Sequence, residues 1–375
     1  MLPRITLFIA FALLPALVFG QHEKLESRLA AVMEKHDAVG LSVVAVKDGR
    51  IVFQRALGLK DIDSHTPLQQ DDIFRIASIS KSFSATVIMQ LVEQKRLSLD
   101  DDFSELVGFK VRNPAWPDRV ITLRMVLSHT ASINDSQGYF NLDVINPATN
   151  PDWQKCYNDY APGEGYQYCN LNFNMVGAVI ERLTGVRFDA AVRQRVLMPL
   201  QLEGGYCVDS LDRDRFATLY AYDSASFQPS PMAYASRSDA MADYRMGYST
   251  PIFSPTGGMK ISAPGLARYM MMHMNKGELD GARIISKKSS RTMQKPIAKK
   301  EGYGLALMRT EKLVPGERLV GHTGSAYGLY SAMFFHPKKK FGFIVITNGC
   351  KPGYEDGFQR MIKEAVNVLY DEIVK

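Results

Sequence analysis

The sequence predicts an α/β (α+β) fold in which an antiparallel sheet, flanked by helices, is formed by both chain ends. Two observations support this prediction. A β-rich hairpin pattern occurs near each end of the chain, and the region between them is rich in Pro, Asn, Asp and Tyr. That middle region, residues 96–254, is predicted to be an inserted, mostly helical lobe. A cleft between two such lobes is a common place for an active site.

The first hairpin is predicted for residues 41–58, where two β-rich runs flank Asp48 and Gly49, a strong turn pair. Residues 22–37 precede this hairpin, and their leucine and valine side chains recur at the spacing of a helix. The amino-terminal portion of the α/β part is therefore expected to span residues 22–95.

The second hairpin is predicted near the carboxyl end, where residues 329–336 and 341–347 enclose a Pro-Lys-Lys-Lys turn. A helix over residues 355–374 is predicted to close the chain. Within the middle lobe, helices are predicted for residues 172–184 and 188–198. The second portion of the α/β part is expected to span about 255–375.

The amino terminus has the pattern of a signal peptide over residues 1–20. Arg4 precedes an apolar run, and a small residue, Gly20, stands at its end. Residues 21–375 are then one folded domain, exported to the periplasm or the extracellular space, with no stable membrane span after removal of the signal. A retained amino-terminal anchor is the alternative, and the sequence leaves cleavage open.

The composition is that of a soluble globular protein, with 46% hydrophobic and 22% charged residues in a chain of 375. The net charge of +6 comes partly from short lysine runs, which predict solvated turns or helix faces; a polyanion-binding or membrane-surface patch is the alternative. Aromatic residues do not interleave these runs, so no nucleic-acid partner is expected. No histidine cluster or metal-binding motif occurs, so neither a metal site nor a cofactor is expected.

Four cysteines, an even number, are compatible with disulfides in an exported chain. Cys156 and Cys169 are close enough in sequence to close a small loop. Free, buried thiols at Cys156, Cys169, Cys207 and Cys350 are the alternative, and the sequence does not decide between the two.

A candidate nucleophile lies in the stretch FRIASISKSFSATVIMQLVEQ, which carries four serines around Lys81. Residues three apart share a helix face, so Ser78 and Ser84 are the two serines within reach of Lys81. Helical side chains lean toward the amino terminus, and this direction favours Ser78. Lys81 is then a candidate base for the serine proton if its pKa is lowered. The pattern alone also fits a serine-capped helix with a solvent-exposed lysine.

Two further motifs carry suitable chemistry. Tyr168 and Asn170 form a Y-x-N before an amphipathic helix, where a phenol relays protons and an amide orients a lysine or a substrate carbonyl. A second Y-x-N begins at Tyr139. His322, Thr323 and Gly324 precede a predicted strand, where glycine permits close approach of a substrate.

The order of the three motifs resembles that of the penicillin-recognising serine hydrolases, with their β-lactamase/transpeptidase-like fold. The branch with class C β-lactamases, D-alanyl-D-alanine carboxypeptidases and related esterases is the most similar. The resemblance extends over most of residues 23–375 and includes the segments ITLRMVLSHTASI, PGEGYQYCN and GHTGSAYGL.

The resemblance implies a role for each candidate residue. Ser78 would form an acyl-enzyme, Lys81 and Tyr168 would move the proton, and Asn170 would orient Lys81 and the acyl amide. Contacts with the far end of the substrate would come from the His-Thr-Gly strand, and the backbone N–H groups of Ser78 and Ser325 would form the oxyanion hole. The predicted substrate-binding residues are Asn170, His322, Thr323, Gly324 and Ser325.

Three positions depart from the family pattern. Many β-lactamases have lysine in place of His322, and a neutral histidine holds a substrate carboxylate less firmly. Ala131 and Ser132 follow the histidine of LSHT, where the family often has Ser-Gly; His129 itself is interpreted as structural. Cys169 occupies the middle of Y-x-N, where a bond to Cys156 would fix the neighbouring side chains.

The departure at His322 favours a D,D-carboxypeptidase or D-amino-acid peptidase, or equally a carboxylesterase, over a β-lactamase, whereas the departure after His129 concerns a loop and not the chemistry. The expected partner is a small-molecule or peptide substrate, such as a peptidoglycan stem peptide or an ester. A non-catalytic ligand-binding scaffold of the same fold is a further alternative, although such a protein is expected to have lost Ser78, Lys81 or Tyr168. The oligomeric state is left open.

Overall fold

The structure is a computed structural model that describes residues 9–375. Its helices are α1 Ile9–Lys35, α2 Ser80–Glu93, α3 Phe103–Val107, α4 Leu123–Leu127, α5 Asn170–Thr184, α6 Phe188–Val192, α7 Ala263–Met274, α8 Lys287–Gln294 and α9 Arg360–Leu369. Its strands are β1 Gly40–Lys47, β2 Arg50–Asp61, β3 Thr66–Pro67, β4 Phe74–Arg75, β5 Gly204–Gly205, β6 Tyr220–Tyr222, β7 Phe227–Pro229, β8 Lys260–Ile261, β9 Glu278–Leu279, β10 Ala282–Arg283, β11 Met308–Thr310, β12 Leu319–Ala326, β13 Leu329–Phe335, β14 Gly342–Thr347, β15 Tyr354–Glu355 and β16 Phe358–Gln359.

The central sheet has seven strands in the order β11-β12-β13-β14-β1-β2-β3, and neighbouring strands are antiparallel. The two chain ends meet where β1 pairs with β14, with Val43 opposite Val345. Antiparallel pairing of this kind confirms the predicted fold class, a sheet built from both ends of the chain.

Both predicted hairpins are present. Asp48 and Gly49 connect β1 to β2 with φ values of 52° and 72°, and this pair of left-handed residues forms the turn that matches the twist of two antiparallel strands. The second hairpin joins β13 to β14, and it positions the neighbouring strand β12, which carries the His-Thr-Gly motif.

The carboxyl-terminal helix begins later than predicted. The sequence predicts a helix from residue 355, but α9 begins at Arg360. Asp356 and Gly357 have φ values of 52° and 85°, so they form a tight turn between β15 and β16. A turn of two left-handed residues cannot continue as a right-handed helix.

Alternation along β1 separates the two faces of the sheet. Val43 and Ala45 are buried in the cluster that contains side chains of α1 and α9. Val44 and Val46 point to the opposite face and belong to the cluster that contains side chains of α2 and α7. Successive strand residues face opposite sides, so β1 contributes side chains to both halves of the core.

Helix α2 is buried on every side from residue 80 to residue 89, unlike the amphipathic helices that cover a sheet. The side chains of Lys81, Phe83 and Ser84 all have 0% exposure. The serines of this helix bond to backbone carbonyls: Ser82 Oγ donates to Ile79 O at 2.7 Å. The alternative of a solvent-exposed Lys81 is therefore wrong, since α2 lies inside the protein.

The predicted signal peptide falls partly on residues 1–8, which lie outside the described residues. Helix α1 begins at Ile9 and continues past Gly20 to Lys35. From residue 9 onward, no helix combines the length and the apolar character needed to cross a membrane.

The disulfide alternative is wrong, because all four cysteines are free thiols. The Cys169 thiol donates to Asp135 Oδ1 at 3.1 Å, and the Cys156 thiol donates to Val144 O at 3.3 Å. The sulfur atoms of Cys156 and Cys169 thus donate to different oxygen acceptors. Hydrogen bonds, and not a disulfide, hold the Y-x-N motif.

Candidate active site

Ser78 lies in a single 3₁₀ turn, Ala77–Ile79, that leads into α2. It is partly exposed, whereas Ala77 and Ile79 on either side are buried. Ala77 has a φ of 47°, in the left-handed region that alanine rarely adopts. Such strained backbone often occurs at functional sites, where it directs a neighbouring side chain.

Strand β12 runs beside this turn, and Gly324 makes the close approach feasible. A Cβ atom at Gly324 would lie 2.3 Å from Ile76 O, so any side chain there would collide with the backbone before Ser78. Glycine at this position therefore lets Thr323 and Ser325 line the same cavity as Ser78. The oxyanion role of the Ser78 and Ser325 N–H groups stays a prediction.

The side chain of Lys81 reaches back toward Ser78, the direction expected from helix geometry. Its Nζ atom lies 3.1 Å from Ser78 Oγ, 2.9 Å from Asn170 Oδ1 and 3.0 Å from Thr256 O. Ser84, the other serine three residues from Lys81, instead donates to Pro255 O. The structure thus brings Ser78, Lys81 and Asn170 together as one hydrogen-bonded group.

Burial lowers the pKa of Lys81 to about 7, and the negative charge of Asp135 partly opposes this shift. Desolvation disfavours the charged ammonium, so a substantial fraction of neutral amine exists at neutral pH. A neutral amine 3.1 Å from a serine hydroxyl has the position and the protonation state of a general base.

Tyr168 covers the other side of Lys81, with its ring centroid 4.7 Å from Nζ. Burial raises the pKa of the Tyr168 phenol, and the nearby Ser78 hydroxyl opposes this only in part. The phenol is therefore protonated at neutral pH and suits a proton relay. Its buried hydroxyl has no hydrogen-bond partner of normal geometry among the described residues, so its hydrogen-bonding capacity is not taken up by a protein group there.

The second Y-x-N motif has a different place. Tyr139 and Phe140 line a cavity beside Ser78, whereas Lys81 Nζ lies over the rings of Tyr168 and Phe173. The Asn141 side chain accepts a hydrogen bond from Asp143 N, which caps a short 3₁₀ turn. Tyr168 is therefore the tyrosine beside the serine–lysine pair.

Asp135 orients the Y-x-N motif, and sequence reasoning missed it. Its carboxylate accepts hydrogen bonds from Asn170 N at 2.8 Å, from Asn170 Nδ2 at 2.9 Å and from Leu171 N at 2.9 Å. An anion at the start of α5 is favoured by the free N–H groups and the helix dipole. No local pattern connects Asp135 to a motif 35 residues away.

Replacing Asp135 with asparagine is expected to lower the pH midpoint of Ser78 acylation by roughly one unit. The Asp135 carboxylate raises the pKa of Lys81, so its removal makes the ammonium lose its proton at lower pH. Acylation rates measured with an activated ester across a pH series give this midpoint. Asp159→Asn, at an exposed carboxylate, is the matched control and should leave the midpoint in place. A midpoint that rises in Asp135→Asn would contradict this electrostatic role.

His322 is present at the site as an uncharged side chain. Burial and the nearby charge of Lys81 lower the pKa of His322 to about 4, against a smaller upward effect of the Thr323 carbonyl. Its Nε2 atom lies 2.9 Å from the hydroxyl of Tyr303, a buried residue that sequence reasoning missed. His322 therefore brings no positive charge to the cavity.

His129 packs against the ring of Tyr168 with centroids 4.3 Å apart, and its Nδ1 accepts a hydrogen bond from Cys169 N. It is fully buried, and burial holds its pKa well below the usual value. These contacts agree with the structural interpretation of His129. Ser132, at the position that departs from the family pattern, has a φ of 60° and holds its loop by donating to Tyr160 O.

Two cavities flank Ser78. The His322 cavity, of about 360 Å³, is lined by Ser78, Tyr166, Tyr168, Glu301, Tyr303, Met308, His322, Thr323 and Ser325. The Arg75 cavity, of about 500 Å³, is lined by Arg75, Ala77, Ser78, Tyr139, Phe140, Tyr168, Asn170, Ser254, Thr256, Gly257, Ser325, Ala326 and Tyr327. Ser78, Tyr168 and Ser325 border both cavities, so a substrate bound across them would place its reacting carbonyl at Ser78.

A serine in the turn that leads into a buried helix, 3.1 Å from a lysine of lowered pKa and beside an antiparallel sheet, has the arrangement of a serine hydrolase. The beta-lactamase family model matches residues 25–365. The chain therefore belongs to the beta-lactamase family, and it is an enzyme of the serine hydrolase class.

Known proteins similar to the chain include Penicillin-binding protein 4 of Amycolatopsis lactamdurans, 26% identical over 94% of this chain and 92% of the relative. Protein flp of Staphylococcus aureus (strain MW2) is 23% identical over 84% of this chain, which spans 61% of that relative's length. Among solved structures, the octameric penicillin-binding protein homologue from Pyrococcus abyssi has a TM-score of 0.74 and 26% identity. That alignment covers 93% of this chain and 77% of the homologue.

Proposed function

We propose that the protein hydrolyses esters or amides whose leaving group carries no negative charge, through an acyl-enzyme on Ser78. This describes a carboxylesterase or a D-amino-acid peptidase acting on neutral leaving groups. The observation that carries the proposal is the lining of the His322 cavity: within residues 9–375, neither lysine nor arginine lines it.

In the proposed reaction Ser78 Oγ attacks the substrate carbonyl while Lys81 Nζ takes the serine proton. The N–H groups of Ser78 and Ser325 stabilise the oxyanion. Tyr168 relays a proton to the leaving oxygen or nitrogen, which departs with it and leaves the acyl group on Ser78. Water then attacks the acyl-enzyme and passes one proton, by way of Tyr168, to Lys81. The bond between the acyl carbon and Ser78 Oγ breaks, Oγ takes this proton back from Lys81, and the acid is released.

Charge in the His322 cavity supports a neutral leaving group. Glu301, an exposed residue of the wall, brings a carboxylate, and His322 is neutral near pH 7 because its pKa is lowered to about 4. A substrate carboxylate on this side would face a like charge with no counter-ion in the cavity wall. We therefore expect β-lactams and short D-alanyl-D-alanine peptides, whose leaving groups carry a carboxylate, to be poorer substrates than neutral esters and amides.

A second candidate, a peptidase for longer peptides such as a peptidoglycan stem peptide, has one observation in its favour. A neighbouring groove shares Glu301, Met308 and Thr323 with the His322 cavity. It is also lined by five cationic side chains, those of Lys299, Lys300, Arg309, Lys312 and Arg318. A peptide leaving group long enough to enter this groove would bring its terminal carboxylate near these cations.

The test compares two acetate esters that differ only in charge, those of 3-hydroxybenzamide and 3-hydroxybenzoate. We expect kcat/KM for the neutral ester to exceed that for the anionic ester by about tenfold, since like-charge contact opposes binding of the latter. Glu301→Gln should narrow this difference. Equal rates would contradict the proposal. Faster hydrolysis of the anionic ester would favour the peptidase, and fast turnover of a penicillin would favour a β-lactamase.

Export also stays a prediction, supported by the charged start, the apolar run and the small residue before Gln21. The mass of the mature protein recovered outside the cytoplasm would test it, because cleavage after Gly20 leaves residues 21–375.

A further inference from the structure

Arg75 is a buried guanidinium in the wall of the Arg75 cavity, three residues before Ser78. Its exposure is 5%. Nε donates to Gly257 O at 3.0 Å and Nη1 donates to Ala233 O at 3.2 Å. Both acceptors are uncharged carbonyls, and none of the described hydrogen bonds uses Nη2.

No carboxylate neutralises this charge in the part of the chain that the structure describes. Besides burial, which lowers the pKa of Arg75, the groups with the largest effects on it are tyrosines and a second cation, Arg237, and the guanidinium in turn acts on the buried Lys260. The guanidinium lies over the Tyr327 ring at 5.0 Å from its centroid. A buried cation without a counter-ion is costly to maintain, so a cavity beside it favours an anionic occupant.

The Arg75 cavity is on the acyl side of the site. It contains Asn170, the side chain expected to orient the acyl amide, whereas the His322 cavity contains His322 and Thr323, which are expected to contact the far end of the substrate and, in the proposed function, the leaving group. Tyr139, Phe140 and Tyr327 give it aromatic walls. An occupant of this cavity therefore meets flat apolar surfaces and one guanidinium.

We propose that the Arg75 cavity is a subsite for acyl groups that carry a carboxylate, which Arg75 binds. Arginine presents a planar fork of donors that matches a carboxylate, and its free Nη2 provides the first contact. This inference rests on the proposed function, because it assigns the acyl half of the substrate of the same Ser78 reaction. The preferred substrate then has an anionic acyl group and a neutral leaving group.

The test uses two boronic acids, which form a reversible bond to a nucleophilic serine oxygen whether the enzyme prefers esters or amides. The compounds are 3-carboxyphenylboronic acid and 3-carbamoylphenylboronic acid, which differ in charge. Each competes with a fluorophosphonate probe for Ser78. We expect the carboxylate compound to bind the wild-type protein at least about tenfold more tightly.

Variants identify the cation responsible. In Arg75→Met the two boronic acids should bind within about twofold of each other. Arg75→Lys should keep part of the preference for the carboxylate compound, because lysine retains the positive charge but not the planar set of guanidinium donors. Arg237→Met, which removes a neighbouring cation that does not line the cavity, should keep the full preference. Circular dichroism checks that each variant is folded.

The outcomes separate the two proposals. Equal affinity of both boronic acids for a wild-type protein that the fluorophosphonate labels would overturn the subsite and leave the proposed function standing. A preference for the carboxylate compound that is unchanged in folded Arg75→Met would also overturn the subsite. Failure of the fluorophosphonate to label the wild type would overturn the proposed function itself. If Arg75→Met does not fold, the affinities of the two boronic acids for the wild-type protein and for Arg75→Lys still test the subsite.

Discussion

Replacing Ser78 with alanine is expected to abolish covalent labelling by a fluorophosphonate and hydrolysis of an activated ester. Ser78 Oγ is the hydroxyl within 3.1 Å of the Lys81 amine and is partly exposed to both cavities. Without this oxygen no acyl-enzyme forms, because covalent catalysis needs the attacking atom itself. Gel fluorescence after labelling and the ester rate of the purified variant measure the two losses.

Ser84→Ala is the matched control, since Ser84 is also three residues from Lys81 in the same helix. Its hydroxyl is buried and donates to Pro255 O at 3.1 Å, away from both cavities. Labelling should therefore persist in Ser84→Ala. Labelling that persists in Ser78→Ala would remove Ser78 as the nucleophile. Absence of labelling in the wild type would favour the non-catalytic ligand-binding alternative.

Replacing Lys81 with methionine is expected to slow acylation of Ser78 by about 10²–10⁴-fold, the usual contribution of a general base. Methionine is similar in size and apolar, so it suits a position with 0% exposure while it removes the amine. Stopped-flow or steady-state rates with an activated ester give the acylation rate, and labelling with fluorophosphonate gives an independent measure.

The pH dependence adds a second readout for Lys81. Only the neutral amine accepts the serine proton, so wild-type acylation should rise with pH through the Lys81 pKa of about 7 and then level off. This rise should be absent in Lys81→Met. Lys110→Met, at an exposed lysine, should keep both the rate and the pH profile. An unchanged acylation rate in Lys81→Met would refute the assigned role.

Parts of the site were predictable from local geometry. Helical side chains point toward the amino terminus, which favours Ser78 over Ser84. In the structure Lys81 is hydrogen-bonded to Ser78. The three motifs were predicted to act together, and Ser78, Tyr168 and His322 do line one cavity. Periodicity and the Asp-Gly turn similarly predicted the first hairpin, because these signals lie within a few residues of each other.

Other parts of the site had no local signal. Asp135 meets Asn170 across 35 residues, and Thr256 meets Lys81 across 175. Tyr303 binds His322 from a separate loop. Each of these side chains is an ordinary polar residue in its own segment, so its role depends on which distant segment the fold brings beside it.

By itself, the sequence determined which residue types could do chemistry here, since a nucleophile, a base and a proton relay occur in motifs of fixed spacing. It also determined the sheet built from both chain ends, through short-range turns and strand alternation. Only the tertiary structure decided the protonation states, because burial lowers the pKa of Lys81 to about 7 and that of His322 to about 4. It alone decided the charge of the two cavities, because long-range packing sets which groups lose water and which meet a counter-ion.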